Sequence, residues 1–350
     1  VSDVTIKDVA TAAGVSPSTV SNLLNGRAHR MLPETRQRIE RTIKDLGYRP
    51  NRAARQLRTG RSQVIGLVVP SVGNPYWGAF ARHLESAALA EGYHVLLCNS
   101  ERDPDRERQY VSELLSDGVF GIVLCSSLPS LEHVLPLVDQ GLRLVAFDRK
   151  AQAGDPASLV SITVDNAIGG ELAGDHLVGL GHRRIAFVSG ALRSINRQER
   201  LRGFLAALSR AGIGEQDVLR WTGKGDDQLG DVEAAELGTR AAAALLGRRN
   251  RPTAIFAIND MTALGVCRAV RDAGLEVGRD VSVIGFDDIV LADLSSPPLT
   301  TIRQPLPDLA AAAFTELRLR LDDATVQPGR SLLFRPDLVV RASTAPVPGS

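Results

Sequence analysis

At 350 residues the chain is long enough for a small head and a body of two subdomains. Its three cysteines, Cys98, Cys125 and Cys267, form no CxxC or Cys/His cluster, which excludes a disulfide framework or a zinc site and suits reduced thiols. No apolar stretch is long enough to span a bilayer and no signal-peptide pattern opens the sequence, so a cytoplasmic location is expected.

The net charge of +1 is unevenly spread. Residues 1–62 hold 12 Lys/Arg against 5 Asp/Glu, a balance of +7, and the rest of the chain balances at −6. A basic head suits a polyanion such as DNA, although charge alone is equally compatible with a solvated basic surface.

In that head, Thr5 and Asp8 have the spacing of a capping box. The helix they open carries Ile6, Val9, Ala10 and Ala13 on one face, and Gly14 ends it. Ser16 is a good N-cap with Pro17 at the first helical position. The second helix runs to about Leu24. It buries Val20, Leu23 and Leu24 and leaves Ser18, Thr19, Ser21 and Asn22 exposed. Such a small polar face can sit close in a major groove, and Asn22 can pair with adenine. The same residues also suit a solvated face; the short turn and the Pro-started second helix favour a helix-turn-helix. A third helix is predicted from Pro33 to Leu46, with Ile39, Ile43 and Leu46 closing a mini-core.

Next comes a short basic segment. Asn51 can cap a helix, Ala54 and Leu57 share a face, and Arg52, Arg55, Arg58 and Arg61 recur every three residues. A helix this short is marginal in isolation, and a flexible basic linker is the alternative.

From Gln63 the pattern becomes short apolar runs separated by helical stretches: residues 64–69, 94–98, 121–124, 144–147, 184–188, 254–258 and 281–286. This alternation predicts doubly wound α/β structure. Polar residues cluster at the run ends: Asn74, Tyr76 and Trp77, then Asp148 and Arg149, Asn259 and Asp260, Asp287 and Asp288. A single polar strand end is usually a cap, but four predict a shared cleft. Carboxylates and amides suit vicinal hydroxyls, and Tyr76 and Trp77 suit an apolar sugar face or a hydrophobic plug at a helix start. A purine would need stacking on both faces; Trp221 and Phe147 keep that alternative open.

The motifs V-T-I-x-D-V-A, A-G-V-S-x-x-T-V-S-x-x-L-N, T-R-x-x-I and L-G-Y-x-P-N-x-x-A-x-x-L resemble those of the lactose-repressor (LacI/GalR) family of bacterial transcription regulators, and the likeness extends over roughly residues 3–345. The resemblance implies a helix-turn-helix head on a periplasmic-binding-protein-like body of two doubly wound α/β subdomains. It implies DNA contacts from Thr5, Ser16, Pro17, Ser18, Thr19, Ser21, Asn22, Asn25, His29, Thr35, Tyr48, Asn51, Ala54 and Leu57. Pro17, Ser18 and Asn22 fall on base-reading positions, and Leu57 is the expected minor-groove wedge of a helix that folds on DNA. Many members have Arg where this chain has Asn22, so a different operator base is expected there.

For the cleft, Phe147-Asp148-Arg149, the R-x-x-G-F run from Arg200 with Asn196 before it, Asn259-Asp260, Gly285-Phe286-Asp287-Asp288 and Thr301-Ile302-Arg303-Gln304 match family motifs. The implied effector set is Asn74, Tyr76, Trp77, Asp148, Arg149, Asn196, Arg200, Asn259, Asp287 and Gln304. Expected partners are a pseudo-palindromic double-stranded operator, a small-molecule effector (a sugar before a purine) and a second copy of the chain, with no membrane, metal or cofactor. Dimerisation follows from the family and from the two half-sites such a head requires.

The motifs GxSxG, HExxH, P-loop and G-x-G-x-x-G are absent, which argues against an enzyme. A transport-type sugar receptor is the other alternative, and the DNA-reading head argues against it. The expected domains are a head over 1–48, a hinge over 49–62 and a body over 63–345, with a disordered tail over 346–350. Within the body, the N-subdomain is expected over 63–162 and 300–326, and the C-subdomain over 163–299 and 327–345.

Overall fold

The computed structural model describes residues 4–24, 28, 31–48, 62–223, 234–323 and 328–347. The chain divides into two compact units, residues 1–62 and 63–350.

In the first unit, α1 spans Ile6–Ala12, α2 Pro17–Leu24 and α3 Pro33–Asp45. The capping box forms as its spacing requires: Thr5 N–H donates to Asp8 Oδ2 at 2.8 Å, and Thr5 Oγ1 accepts from Asp8 N at 3.4 Å. Gly14 turns the chain at φ +62°, a conformation that costs glycine least. Leu32 precedes α3 without any side-chain cap, and Pro33 supplies the start instead. Val9, Ala10, Ala13, Val20 and Ile39 form the buried core, with Leu23, Leu24, Ile43 and Tyr48 packed against it. Leu46 was expected in this core but is 38% exposed. It lies one residue past the last turn of α3, where the chain has left the helical face.

The second unit holds two sheets. In chain order its elements are β1 (Val64–Val69), α4 (Pro75–Ala90), β2 (His94–Asn99), α5 (Pro104–Ser116), β3 (Gly121–Cys125), β4 (Arg143–Phe147), β5 (Val160–Val164) and α6 (Asn166–Gly179). There follow β6 (Ile185–Ser189), α7 (Ile195–Arg210), β7 (Leu219–Thr222), α8 (Ala234–Leu246), β8 (Ala254–Ala257), α9 (Asp260–Asp272), β9 (Ser282–Asp287), α10 (Val290–Leu294) and β10 (Thr300–Arg303). The last are α11 (Leu306–Asp322), β11 (Ser331–Phe334) and β12 (Asp337–Val339).

One sheet has the order β11-β5-β4-β3-β1-β2 and the other β12-β10-β9-β8-β6-β7. All pairings are parallel except that of β10 with β12. The central strands are buried on both faces, as their near-continuous Val/Ile/Leu/Ala runs dictate.

The chain passes between the two sheets three times: after β5, after β10 and between β11 and β12. These crossings correct the expected subdomain boundaries. Residues 300–303 were expected in the N-subdomain but form β10 of the C-sheet. Residues 331–334 were expected in the C-subdomain but pair with β5 of the N-sheet, and β5 itself runs on to Val164. The physical reason is that Ser and Thr interrupt the apolar residues of β5 and β10, and that β11 carries only three apolar residues in a row. Val347 falls within the expected disordered tail yet is bonded to the C-subdomain. Val347 N–H donates to Leu180 O at 3.1 Å, and the Ala345 carbonyl lies 3.1 Å from His182 Nε2, so the chain stays bonded to the C-subdomain to that point.

Candidate functional site

Two regions carry the expected functional side chains, one in each unit. In the head, Ser16, Pro17, Ser18 and Asn22 are exposed on α2 and its start. Ser16 Oγ lies 2.7 Å from Ser18 Oγ and 2.8 Å from Thr19 Oγ1, and it accepts Thr19 N–H at 3.2 Å. Thr19 and Ser21 are half-buried rather than fully exposed as expected. Thr5 is exposed and donates its hydroxyl to Asp8 Oδ2 at 2.7 Å. Thr35 and Tyr48 are half-buried, Tyr48 against the head core. Asn25, His29, Asn51, Ala54 and Leu57 lie outside the described residues.

In the body, a solvent-open cleft lies between the sheets at the carboxyl ends of their strands. Asn74, Tyr76, Trp77 and Asp148 line it from one subdomain; Asn196, Arg200, Asn259 and Asp287 line it from the other, with Gln304 at a crossing. Three of the surrounding side chains are helix caps. Asn74 Oδ1 accepts from Tyr76 N at 3.1 Å, Ser194 Oγ from Arg197 N at 3.2 Å and Asn259 Oδ1 from Thr262 N at 2.9 Å. The N-termini of α4, α7 and α9 therefore converge here with their partial positive charge.

Backbone geometry at the strand ends is unusual. Asp148 has φ +60° and Asp287 φ +116°. Non-glycine residues in this region cost about 1 kcal/mol or more each, and both lie at the cleft.

Two polar chains join the walls. In the first, Tyr76 Oη donates to Gln304 Oε1 at 2.9 Å, and Gln304 Nε2 donates to Asp287 Oδ1 at 2.8 Å. In the second, Asn196 Nδ2 donates to the Asp148 carbonyl at 2.7 Å, and Asn166 Nδ2 donates to Asn196 Oδ1 at 3.1 Å. Arg200 Nε then donates to Asn166 Oδ1 at 2.8 Å and Nη1 to the Ile258 carbonyl at 2.7 Å. Ile195 N–H adds a backbone bond to Ser127 O at 3.0 Å.

Arg200 is held from every side. Its guanidinium carbon lies 3.5 Å from the Phe286 ring centroid, and Nη2 is 3.7 Å from Asp287 Oδ1. It reaches Asn166 because α7 lies directly on α6: a Cβ on Gly203 would stand 1.9 Å from the Ala167 carbonyl oxygen. The glycine of the R-x-x-G-F motif thus sets where its arginine goes. Burial, followed by the charges of Asp148 and Asp287, pushes the Tyr76 phenol well above its ordinary pKa. Burial and then the Asp287 charge push Asp260 well above the usual carboxylate range, against hydrogen bonds from the Thr301 hydroxyl at 2.5 Å and Ile289 N at 2.9 Å.

Nine of the ten expected cleft residues meet in this one space; Arg149 does not line it. Arg149 is wholly buried, and its Nη1 donates to both carboxylate oxygens of Asp155 at 3.0 Å while Nη2 donates to Pro129 O at 3.1 Å. Those bonds commit its guanidinium to bracing the loop after β4. Trp77 is 3% exposed and meets Tyr76, Phe80 and Phe147 edge to face, so it plugs the start of α4 as much as it lines the cleft.

Arg102, Ser127, Ser194, Arg197 and Ile258 also line the cleft and escaped the sequence reading. Arg102 and Ser127 follow β2 and β3, so the strand-end rule applied to those two strands finds them. Among the described residues no group of three or more His, Cys, Asp or Glu could hold a metal, and no helix is long and apolar enough to cross a membrane.

Comparison with known proteins gives two family matches. Residues 5–51 match the model for bacterial regulatory proteins of the lacI family, and residues 174–344 match a periplasmic binding protein-like domain. The HTH-type transcriptional regulator DegA of Bacillus subtilis is 33% identical over 98% of this chain and 98% of its own. The ribose operon repressor of Escherichia coli is 35% identical over 97% of this chain and 99% of its own. Among solved structures, the lac repressor dimer bound to operator and the anti-inducer ONPF matches with a TM-score of 0.83 and 29% identity, covering 98% of this chain and 100% of the other.

Proposed function

Because the chain belongs to the lacI family of bacterial regulatory proteins, we propose that it is a repressor whose hold on operator DNA is set by an effector in the inter-subdomain cleft. It is a DNA-binding transcriptional regulator. The observation that carries the effector reading is the cleft itself: one solvent-open space whose two walls come from different sheets and already exchange hydrogen bonds. A ligand that engages both walls changes their relative population of open and closed arrangements, and by linkage changes operator affinity.

In this reading α2 enters the major groove with Pro17, Ser18 and Asn22 over base edges, while Thr5, Ser16, Thr19 and Ser21 secure the phosphates. Asn25, His29, Thr35, Tyr48 and Asn51 complete the backbone contacts, and Ala54 and Leu57 form the minor-groove wedge. Two heads are needed for a pseudo-palindromic operator, which makes the working unit a homodimer, like the lac repressor dimer on its operator. The protein acts in the cytoplasm and catalyses no reaction; Asp148 and Asp287 serve as ligand acceptors.

Sugar is the effector class that the lining favours over a purine. The aromatic residues among the described lining are Tyr76 and Trp77, which stand edge to face at 4.8 Å and 85° and so present no parallel pair of rings to a flat base. The test is selection of binding sites from random duplex DNA, with and without a pool of sugars and nucleobases. An enriched pseudo-palindrome that one sugar weakens identifies operator and inducer together; enrichment that depends on a pool member identifies a corepressor. Absence of enrichment under every condition would overturn the reading.

A further inference from the structure

The body carries a basic surface that the cleft does not use. Arg183 and Arg184 lead into β6, and Arg248, Arg249 and Arg251 lead from the end of α8 into β8. All five are exposed. The two loops are tied together: β6 and β8 pair in parallel from Ile185 with Ala254, Thr253 N–H donates to the Arg184 carbonyl at 2.8 Å, and His182 Nδ1 lies 2.9 Å from Thr253 Oγ1. Neighbouring strands lie about 4.8 Å apart, so these guanidiniums share one small surface. It stands at the amino ends of the strands, the end of the C-sheet away from the cleft.

Among the described residues none of the five makes an ion pair, and their one side-chain hydrogen bond runs from Arg183 Nη1 to the His182 carbonyl at 3.2 Å. The acids at this end are engaged with other groups. Glu215 pairs with Arg220 at 2.8 Å, Glu276 with Arg279 at 3.0 Å and Asp272 with Arg268 at 3.7 Å. Asp280 accepts from Glu276 N at 2.8 Å, and Asp217 from Gln216 Nε2 at 3.3 Å.

The composition of the patch says what it fits. All five cations are arginine, whose planar fork matches phosphate oxygens. No large apolar side chain is exposed in either loop, so the patch lacks the anchors of a membrane-inserting surface or of a protein–protein interface. Neither loop holds an aromatic residue, so there is no platform on which an unpaired base could stack. What remains is the outside of a double helix, an array of phosphates. A regulator held on its operator also meets neighbouring duplex at high effective concentration.

We propose that this end of the C-subdomain is a second DNA-binding surface, one that grips the phosphate backbone of duplex other than the operator without reading its sequence. The proposal stands on the body and does not need the effector reading.

The experiment saturates the full chain with an unlabelled duplex carrying the selected operator, which occupies the heads. A short fluorescent duplex of random sequence is then titrated in at several salt concentrations. The expected result is binding of the second duplex, with log affinity falling against log salt by about 0.9 for each phosphate neutralised, so a slope of about −4 for the full set. A variant carrying Arg183→Gln, Arg184→Gln, Arg248→Gln, Arg249→Gln and Arg251→Gln should weaken the second duplex about tenfold or more and flatten the slope, with operator affinity unchanged. The matching five Arg→Lys changes should restore most of the binding, which separates lost charge from misfolding. Failure of the second duplex to bind, or equal binding by the Gln variant, would overturn the proposal and leave the operator reading standing. Tighter binding of single strands than of duplex, or capture of phosphatidylserine vesicles without duplex, would overturn it as well. If no operator duplex binds, the reading of the head fails by itself, and the contrast between the wild-type chain and the Gln variant on random duplex still decides this proposal.

Discussion

The phenol of Tyr76 donates a 2.9 Å hydrogen bond to the side-chain carbonyl of Gln304, joining the first helix of the N-subdomain to the second crossing between the sheets. Both groups are buried, so the bond is not one that water readily replaces. Tyr76→Phe removes the donor and leaves the Gln304 oxygen unmatched. The expected cost is about 1–2 kcal/mol, read as a lower midpoint in urea unfolding. Effector affinity should fall in the same variant, because the closed arrangement loses one of its bonds.

Gly203→Ala should cost more. The new methyl would meet the Ala167 carbonyl oxygen at 1.9 Å, and a backbone atom cannot step aside as a side-chain end can. Overpacking of this kind costs about 3 kcal/mol. Because it pushes α7 off α6, it also displaces Arg200 from Asn166. Folded protein that survives should still bind operator while responding weakly to effector, a split that anisotropy titrations with and without effector will read.

On the head, Asn22 is exposed on α2 with no apolar packing role. Asn22→Ala should lower affinity for the selected operator by about 1–3 kcal/mol, the range for a bidentate base contact. Its binding to random DNA and the slope of affinity against salt should stay as they were, since no phosphate contact is lost. An equal loss on both DNAs would show that Asn22 positions rather than reads. For the hinge, Leu57→Ala should weaken operator binding at least tenfold; unchanged affinity would sink the wedge model.

Acid should loosen the C-subdomain. Burial lowers the pKa of the His182 imidazole below its ordinary value, opposed by the Ala345 carbonyl, and burial lowers that of His176 as well. The unfolded chain therefore takes up these protons at higher pH than the folded one. Their contribution to stability is full above about pH 6.5 and shrinks as pH falls through the window between the unfolded and folded values. Thermal midpoints should drop between pH 7.5 and 5.5, and His182→Gln should flatten that slope.

Much of this architecture is written in local pattern. Val64–Val69 and Gly121–Cys125 are continuous apolar runs, and such runs suit strands buried on both faces of a parallel sheet. Thr5 with Asp8 and Gly14 before Ser16-Pro17 state the head in a dozen residues, because capping and turn chemistry act over three or four positions. The strands that escaped were those whose burial comes from neighbours far along the chain. Ser161 and Thr163 are buried in β5 although their side chains are polar. β11 and β12 are four and three residues long. Among site residues, Arg149 misled because sequence shows an arginine at a strand end and not the Asp155 that claims it. Arg102 and Arg197 were missed because the strand-end rule was applied to only some of the strands.

The final passage between the sheets has a consequence for synthesis. β11 closes the outer edge of one sheet and β12, three residues later, closes the outer edge of the other. A ribosome that stalls, or a nonsense codon that falls, anywhere ahead of Ser331 leaves both lobes short of a strand at once. Only a stop at residues 335–336 would finish one lobe and leave the second short of its strand. The head, by contrast, is complete some 280 residues earlier. A shortened polypeptide would therefore emerge with an intact DNA reader on an unfinished sensor, able to occupy sites that it could no longer be told to leave.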